Sequence, residues 1–149
     1  MFVKADLEEI LQLLNKLEED VQPKWGKLTP QEMVEHLTDS LKLASGAIKQ
    51  KLITPSEKIE SMQHFLETDK EMIKNIKLPF AAKERVLRNE NLSDAIDEFV
   101  EHWLAYESHF ESGNTTELHP FYGELNFSQW QKFNSKHLTH HFKQFDIFN

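Results

Sequence analysis

The sequence predicts an all-α protein built as a four-helix bundle with a short additional helix at its N-terminus. Three observations favour this class. Apolar residues recur at helical spacing in five stretches, and cap signals open several of them. Glycine (4) and proline (5) are few among the 149 residues. No stretch shows the apolar–polar alternation of a half-buried strand, so no strand is predicted.

The first two helices are separated by a break around Pro23 and Gly26. Apolar residues at helical spacing predict the first helix over 7–21. The second begins at Thr29-Pro30-Gln31-Glu32, which supplies an N-cap threonine, a proline at the first helical position and a glutamate that completes a capping box. We expect this helix to run to about Gln50.

The other three helices are placed at 54–76, 93–112 and 128–145. The third opens on Thr54-Pro55-Ser56-Glu57, which repeats the start signal of the second, and the fifth opens on a capping box formed by Ser128 and Gln131. The connections 80–91 and 115–126 are predicted to be loops. Nine apolar side chains are expected in the core: Leu37, Leu41, Ile59, Leu66, Ile96, Phe99, Trp103, Phe133 and Leu138.

Length and charge narrow the class of protein. The chain is expected to form a single domain over 1–149, and it contains no cysteine, which excludes disulfides and thiolate ligands. A net charge of -8 with scattered basic residues disfavours nucleic-acid binding. The N-terminus becomes charged too early for a signal peptide, and no apolar run approaches the roughly 18 residues of a membrane span. We expect a cytoplasmic protein that binds neither membrane nor nucleic acid.

Two histidines on the last helix are the strongest chemical signal. Trp130, His137 and His141 fall within roughly 40° of one another on a helical wheel, on the face that is otherwise apolar. Side chains four residues apart lie on the same face of a helix, so the two imidazoles could bind one metal ion. A buried imidazole without a partner is costly. This face is therefore either a metal site or a hydrogen-bonded polar network.

Three further residues are candidates for the same site. His36 lies roughly 120° from the main apolar stripe of the second helix, so the wheel alone leaves its direction open. Glu107 falls near the middle of the stripe on the fourth helix, where it could orient a ligand, act as a general base or form a salt bridge at an interface. His140 lies about 80° off the stripe of the last helix, which predicts a residue at the edge of the pocket.

Three segments carry a family resemblance. They are 25–37, which contains Glu35-His36-Leu37; His119-Pro120-Phe121-Tyr122-Gly123 with the following Ser128-Gln129-Trp130; and 137–145. In this order, and over essentially the whole chain, they resemble the DinB/YfiT-like superfamily of metal-dependent enzymes, in particular a branch classified as a domain of unknown function. The resemblance implies an up-down-down-up bundle with a divalent metal held by His36, His137 and His141. Where many relatives have asparagine before the last ligand, this chain has His140.

Three neutral imidazoles leave an open coordination position, as in catalytic zinc sites, and zinc or nickel is expected, with iron or manganese as other candidates. Characterised relatives include thiol-dependent S-transferases and isomerases. The resemblance thus implies a thiol-dependent S-transferase or a hydrolase acting on a small molecule, and any thiol must be an external low-molecular-weight compound. The alternatives are a metal-binding or degenerate bundle that acts as a non-catalytic binding or stress-response module, and a purely structural bundle.

We also predict a homodimer, because the phenylalanine-rich helices offer more apolar surface than one core buries. Light scattering at tens of micromolar tests this, and a monomeric mass would count against it.

Overall fold

The computed structural model describes residues 1–74 and 86–149 of the chain. These residues are mostly helical, as the sequence predicts. The five helices are α1 (Leu7–Leu14), α2 (Pro30–Ala44), α3 (Ile59–Leu66), α4 (Leu92–Glu111) and α5 (Phe127–Gln144), and the two strands are β1 (Glu117–His119) and β2 (Gly123–Leu125). No helix within the described ranges is long and apolar enough to cross a membrane.

The helix starts follow local cap chemistry. The predicted capping box of α2 is confirmed, with the Thr29 side chain accepting from the Glu32 backbone and Glu32 accepting from the Thr29 backbone. For α5 the predicted box was wrong by two residues, since Asn126 and Gln129 form it instead of Ser128 and Gln131. At the third predicted helix, Pro55 makes no side-chain cap and the chain passes through a 3-10 turn, Ser56–Lys58, before α3.

Three helices end earlier than predicted. The α2 helix stops at Ala44 instead of about Gln50, because Gly46 adopts a left-handed φ of 76° that ends the helix. The α3 helix stops at Leu66, since the carbonyls of Thr68 and Lys70 turn away to accept hydrogen bonds from Lys136. The α1 helix gives way after Leu14 to tight turns. Some predicted features lie outside the described residues. They are the break at 78–79 and those parts of the third helix and of the 80–91 loop that fall within 75–85.

The loop predicted at 115–126 contains a hairpin that the sequence did not reveal. Strands β1 and β2 pair antiparallel, with Glu117 opposite Leu125 and His119 opposite Gly123. Each strand has three residues, too few for an alternating pattern to be recognised. The hairpin packs against α2 and α5.

The helices α2 and α4 lie side by side and run in the same direction. Near their starts Arg88 joins them, since its backbone N–H donates to Glu35 Oε1 (2.8 Å) and its Nη2 to Glu98 Oε1 (2.9 Å). Near their ends Glu117 joins them, since it bonds His109 Nε2 (2.6 Å) and lies against Gly46. The helix α5 runs the opposite way, because its beginning contacts the hairpin through Trp130 Nε1 and Glu117 O (3.2 Å).

The core lies between these helices. Of the nine side chains expected there, seven are buried, while Ile59 and Ile96 are half-buried. The rings of Phe99 and Trp103 on α4 stack 6.0 Å apart, and Trp103 is fully buried. The buried polar residues of these helices therefore lie in an apolar interior.

One buried carboxylate fixes the beginning of α2. Glu35 is 1% exposed and accepts hydrogen bonds from Gln31 Nε2 (3.1 Å) and from the backbone N–H groups of Arg88 (2.8 Å) and Asn89 (3.2 Å). Burial by itself raises the pKa of Glu35, but these hydrogen bonds outweigh it and hold the pKa below the ordinary 4.5. Glu35 thus stays ionised and ties α2 to the segment before α4, directly beside His36.

We expect Glu35→Ala to lower the free energy of unfolding by about 3 kcal/mol, because several buried donors lose their acceptor. Urea denaturation measures this loss. Glu98→Ala is the matched control: its carboxylate also contacts Arg88 but is 21% exposed, so its loss should be smaller.

The same group gives a pH dependence. The pKa of Glu35 is lower in the folded state, so its stabilisation is present above its ordinary pKa of 4.5 and disappears as the pH falls through the folded-state value. Between about pH 5 and pH 3 the wild type should therefore lose more stability than Glu35→Gln. Equal losses in the two proteins would contradict this role.

Candidate metal centre

Three histidines from two helices meet in the interior. His36 comes from α2, and His137 and His141 come from successive turns of α5. The Nε2 atoms of His36 and His137 are 3.0 Å apart, and each pair of the three rings has centroids 4.9 Å apart. One possible ligand nitrogen from each residue lies within 4.8 Å of the others. The cluster could therefore hold a metal ion.

The arrangement follows from the directions of the helices. Since α5 runs opposite to α2, the last turns of α5 lie beside the first turns of α2, which places His137 against His36. Spacing of four residues puts His141 on the same face one turn later. His137 and His141 are buried and His36 is half-buried. The helical wheel left the direction of the His36 side chain open, and in the structure it points towards His137 and His141.

The donor set fits a divalent ion. Two nitrogens bound at about 2.0–2.1 Å to one tetrahedral zinc are roughly 3.3–3.4 Å apart. The observed 3.0 Å between His36 and His137 needs only a small outward movement to reach this spacing. The donor set found within the described residues is three imidazoles, which suit zinc, nickel or iron better than magnesium or calcium.

The electrostatic environment keeps His137 neutral. Burial is the largest cause, and the nearby charges that His141 and His36 would carry act in the same direction, so the pKa of His137 lies well below its ordinary 6.5. A neutral imidazole is the form that binds a metal. At neutral pH the His137 ring thus carries a single proton, and its other nitrogen offers a lone pair to a metal.

A glutamine fixes the orientation of His141. Gln144 is 4% exposed, and its Oε1 lies 2.8 Å from His141 Nδ1. Gln144 Nε2 in turn donates to Trp25 O (2.9 Å), so the amide oxygen faces the imidazole and must accept from Nδ1–H. With its proton on Nδ1, His141 carries the ring's lone pair on Nε2. Metal-binding histidines are commonly held in this way by a neighbouring acceptor.

No role at the metal site was predicted for Gln144 from the sequence. The signal that could have found it is its spacing from His141, because residues three apart on a helix are neighbours. Its second anchor, the carbonyl of Trp25, is 119 residues away in sequence and no local pattern could reveal it.

The ring of His140 lies next to that of His141, and its placement at the edge of a pocket stays a prediction. Its ring is 4.9 Å from that of His141 and 5.4 Å from that of Trp25. Burial lowers the pKa of His140 despite a hydrogen bond to the Met72 backbone that acts to raise it. A catalytic role for His140 remains a prediction.

Glu107 is placed elsewhere on α4. It is half-buried, and no hydrogen bond or ion pair joins it to a histidine of the cluster within the described part of the chain. It lies two residues before His109, which is level with Gly46 at the far end of α2. Its assignment as a base or as the orienting partner of a ligand remains a prediction without a contact to support it.

His119, from the segment that resembles the family, packs the hairpin onto α5. It is 6% exposed, its Nδ1 accepts from Phe121 N (3.0 Å), and its ring lies 4.4 Å from that of Phe133. Burial lowers its pKa to about 3. His119 is therefore a neutral packing residue, and the Phe133 ring lies between its ring and that of His137.

Two surface cavities lie away from the histidines. One of about 350 Å³ is bounded by the segment 19–30, and one of about 400 Å³ lies beside the hairpin and Lys49. Neither is lined by a histidine of the cluster, so these cavities belong to other parts of the surface.

Comparisons with protein-family models, with curated proteins and with solved structures found no match to this chain. The geometry of the side chains is therefore the basis for a functional proposal.

We expect Gln144→Leu to weaken zinc binding by roughly 10–100-fold, because His141 loses the acceptor that fixes its tautomer. Competition with a chromophoric chelator measures the affinity. In the metal-free protein, imidazole ¹⁵N shifts should show that His141 no longer holds its proton on Nδ1. Gln131→Leu removes an amide of the same helix that accepts from Tyr106 and should change neither quantity. Unchanged affinity and tautomer in Gln144→Leu would contradict the assignment.

Proposed function

We propose that this chain is a divalent-metal-dependent enzyme with an open three-histidine site, acting as a thiol-dependent S-transferase or a hydrolase on a small molecule. The observation that carries the proposal is the meeting of His36, His137 and His141, which could hold a metal ion. The three ligands leave a position for water or a cosubstrate, which is typical of catalytic sites.

A bound metal of this kind supplies Lewis acidity, which lowers the pKa of a coordinated water or thiol. The protein's own part is to present three neutral nitrogens and to hold them still. Gln144 orients His141. Phe133 lies 5.0 Å from the His137 ring and, like the rest of the interior, limits access of water to it.

The family and the bundle arrangement belong to the same proposal. An up-down-down-up bundle needs two parallel middle helices, and the shared direction of α2 and α4 supports such an arrangement with α1 and α5 as the outer pair. In that arrangement α3, with 8 residues, is the additional short helix, rather than the N-terminal helix that the sequence favoured. The ligand positions also agree with those implied by the DinB/YfiT-like resemblance.

Metal content of protein purified without a histidine tag or added metal tests the proposal. We expect close to one equivalent of a first-row divalent metal, and metal-free protein that takes up zinc or nickel. His137→Ala should bind zinc more than about 100-fold less tightly, since a ligand is lost. His64→Ala, which removes an exposed histidine of α3, should bind like the wild type. Failure of the wild type to bind any such metal would refute the proposal.

Turnover separates an enzyme from a binding module. The metal-loaded wild type and His137→Ala are compared on electrophilic and ester substrates, with and without added low-molecular-weight thiols. Metal-dependent turnover that requires the thiol indicates an S-transferase, and turnover without it indicates a hydrolase. Metal binding with no turnover on any substrate would favour the non-catalytic module.

The pH dependence of metal binding follows from proton competition. Affinity should fall as the pH drops below about 6, because protonated imidazoles cannot bind the metal. The lowered pKa of His137 reduces this competition at one of the three ligands. Zinc affinity measured from about pH 8 to pH 5 checks the trend, and affinity that rises on acidification would contradict it.

A further inference from the structure

Within the described residues, three buried groups of the core make no hydrogen bond of good geometry, although the Asn134 side chain also interacts with the Tyr106 hydroxyl. The three groups are Ser40 Oγ, Trp103 Nε1 and Asn134 Nδ2, on side chains whose residues are 7%, 0% and 3% exposed respectively. Leaving such a group unpaired costs roughly 1–3 kcal/mol, and native interiors seldom do so. Three together indicate that something else completes their hydrogen bonds.

Two of these groups lie one helical turn from the histidines. Ser40 follows His36 by four residues on α2, and Asn134 precedes His137 by three residues on α5. Residues three or four apart share a helix face. The helices α2 and α5 run in opposite directions. Going forward from His36 to Ser40 and going back from His137 to Asn134 therefore both lead towards the hairpin. Ser40 and Asn134 therefore face the same interior layer as the His36–His137 contact, one turn further along.

Trp103 on α4 lies at the same height. The helices α2 and α4 are parallel, with Glu35 level with Glu98 at one end and Gly46 level with His109 at the other. Ser40 is five residues beyond Glu35, and Trp103 is five residues beyond Glu98. This places Ser40 and Trp103 side by side across the α2–α4 contact.

The ring of Trp103 is linked to α5 through its neighbour Tyr106, which interacts with the Asn134 side chain. The Trp103 ring lies 5.3 Å from the ring of Tyr106, whose hydroxyl donates to Gln131 Oε1 (2.6 Å), one turn before Asn134. The three groups thus come from three helices, and from the helix directions we infer that they lie in one layer. We call Ser40, Trp103 and Asn134 the donor layer.

We propose that the donor layer is a substrate subsite of the metal centre that binds the oxygen of a carbonyl or carboxylate group. The indole N–H and the amide NH₂ can only donate, and the serine hydroxyl can donate as well. A complementary group must therefore offer lone pairs. A cationic or donor-only group would leave the indole N–H and the amide NH₂ unpaired.

The position of the layer limits the size of the substrate. One helical turn is roughly 5.4 Å. A compound that binds the metal through one group can therefore reach the donor layer if it carries an acceptor a few atoms along from that group. Short carboxylic acids and carbonyl compounds that carry a second functional group have this length. For the end of the substrate that binds the metal, this proposal rests on the proposed function. The donor layer itself can be tested without the metal.

Formate is the probe, because it is the smallest carboxylate. The ¹H–¹⁵N spectrum of the indole N–H groups follows Trp103 directly, and Trp130, whose Nε1 already donates to Glu117 O (3.2 Å), is an internal reference. We expect formate to shift the Trp103 resonance in a saturable way and to leave that of Trp130 in place. Methylammonium, of similar size but without an acceptor, should shift neither resonance.

The matched variant is Ser40→Ala, which removes one hydroxyl at nearly constant shape. It should bind formate about tenfold less tightly, as expected for one lost hydrogen bond to a charged group. Ser61→Ala, which removes an exposed hydroxyl of α3, should bind formate like the wild type. Circular dichroism establishes that both variants are folded.

Three results would overturn the proposal: no response of Trp103 to formate, an equal response to methylammonium, or equal formate affinity in Ser40→Ala. A long-lived water signal at the Trp103 N–H that formate does not displace would show that the layer holds ordered water only. The titrations are run on zinc-treated and metal-free protein, and zinc should tighten formate binding. Absence of zinc binding would refute the metal centre, whereas the formate response of metal-free protein still decides the donor layer.

Discussion

The rest of the structure depends on the placement of three imidazoles within an apolar interior. An unpaired buried imidazole is costly, so His36, His137 and His141 can occupy this position only if α2 and α5 hold them against one another. The 3.0 Å contact between Nε2 of His36 and Nε2 of His137 fixes the height of α2 relative to α5, which runs in the opposite direction. Glu35 and Arg88 hold one end of α2, and Glu117 holds the other. These contacts at the two ends of α2 therefore help to fix the position of His36.

Buried polar side chains surround the histidines within an otherwise apolar core. Apolar side chains at the positions of Gln144, Ser40 and Asn134 would fill the core without unpaired atoms. Instead Gln144 uses both ends of its amide on His141 and on Trp25, and the donor layer keeps groups that make no hydrogen bond of good geometry within the described residues. Buried polar groups of this kind cost stability unless they are satisfied. Their position next to the three histidines is what a binding site for a small polar ligand requires.

Local parts of the site could be predicted from the sequence, whereas long-range parts could not. His137 and His141 lie on one helix, so their spacing alone placed them together. His36 is 101 residues from His137, and only the family resemblance, not the helical wheel, paired them. The polarity of Gln144 gave no indication of its role, because its contacts depend on a rotamer and on the distant loop that contains Trp25. The fold shows the same division: the Thr29 capping box was recognised, but the end of α2 depends on Gly46 and its contact with Glu117, a tertiary feature.

X-ray absorption spectroscopy of the zinc- or nickel-loaded protein tests the central claim most directly. The account predicts three imidazole ligands, recognised by their multiple-scattering pattern, with nitrogen at about 2.0–2.1 Å and at least one further light-atom ligand in the open position. The pattern should fall to two imidazoles in His36→Ala. A spectrum with no imidazole contribution, or one that is the same in the wild type and in His36→Ala, would contradict the account.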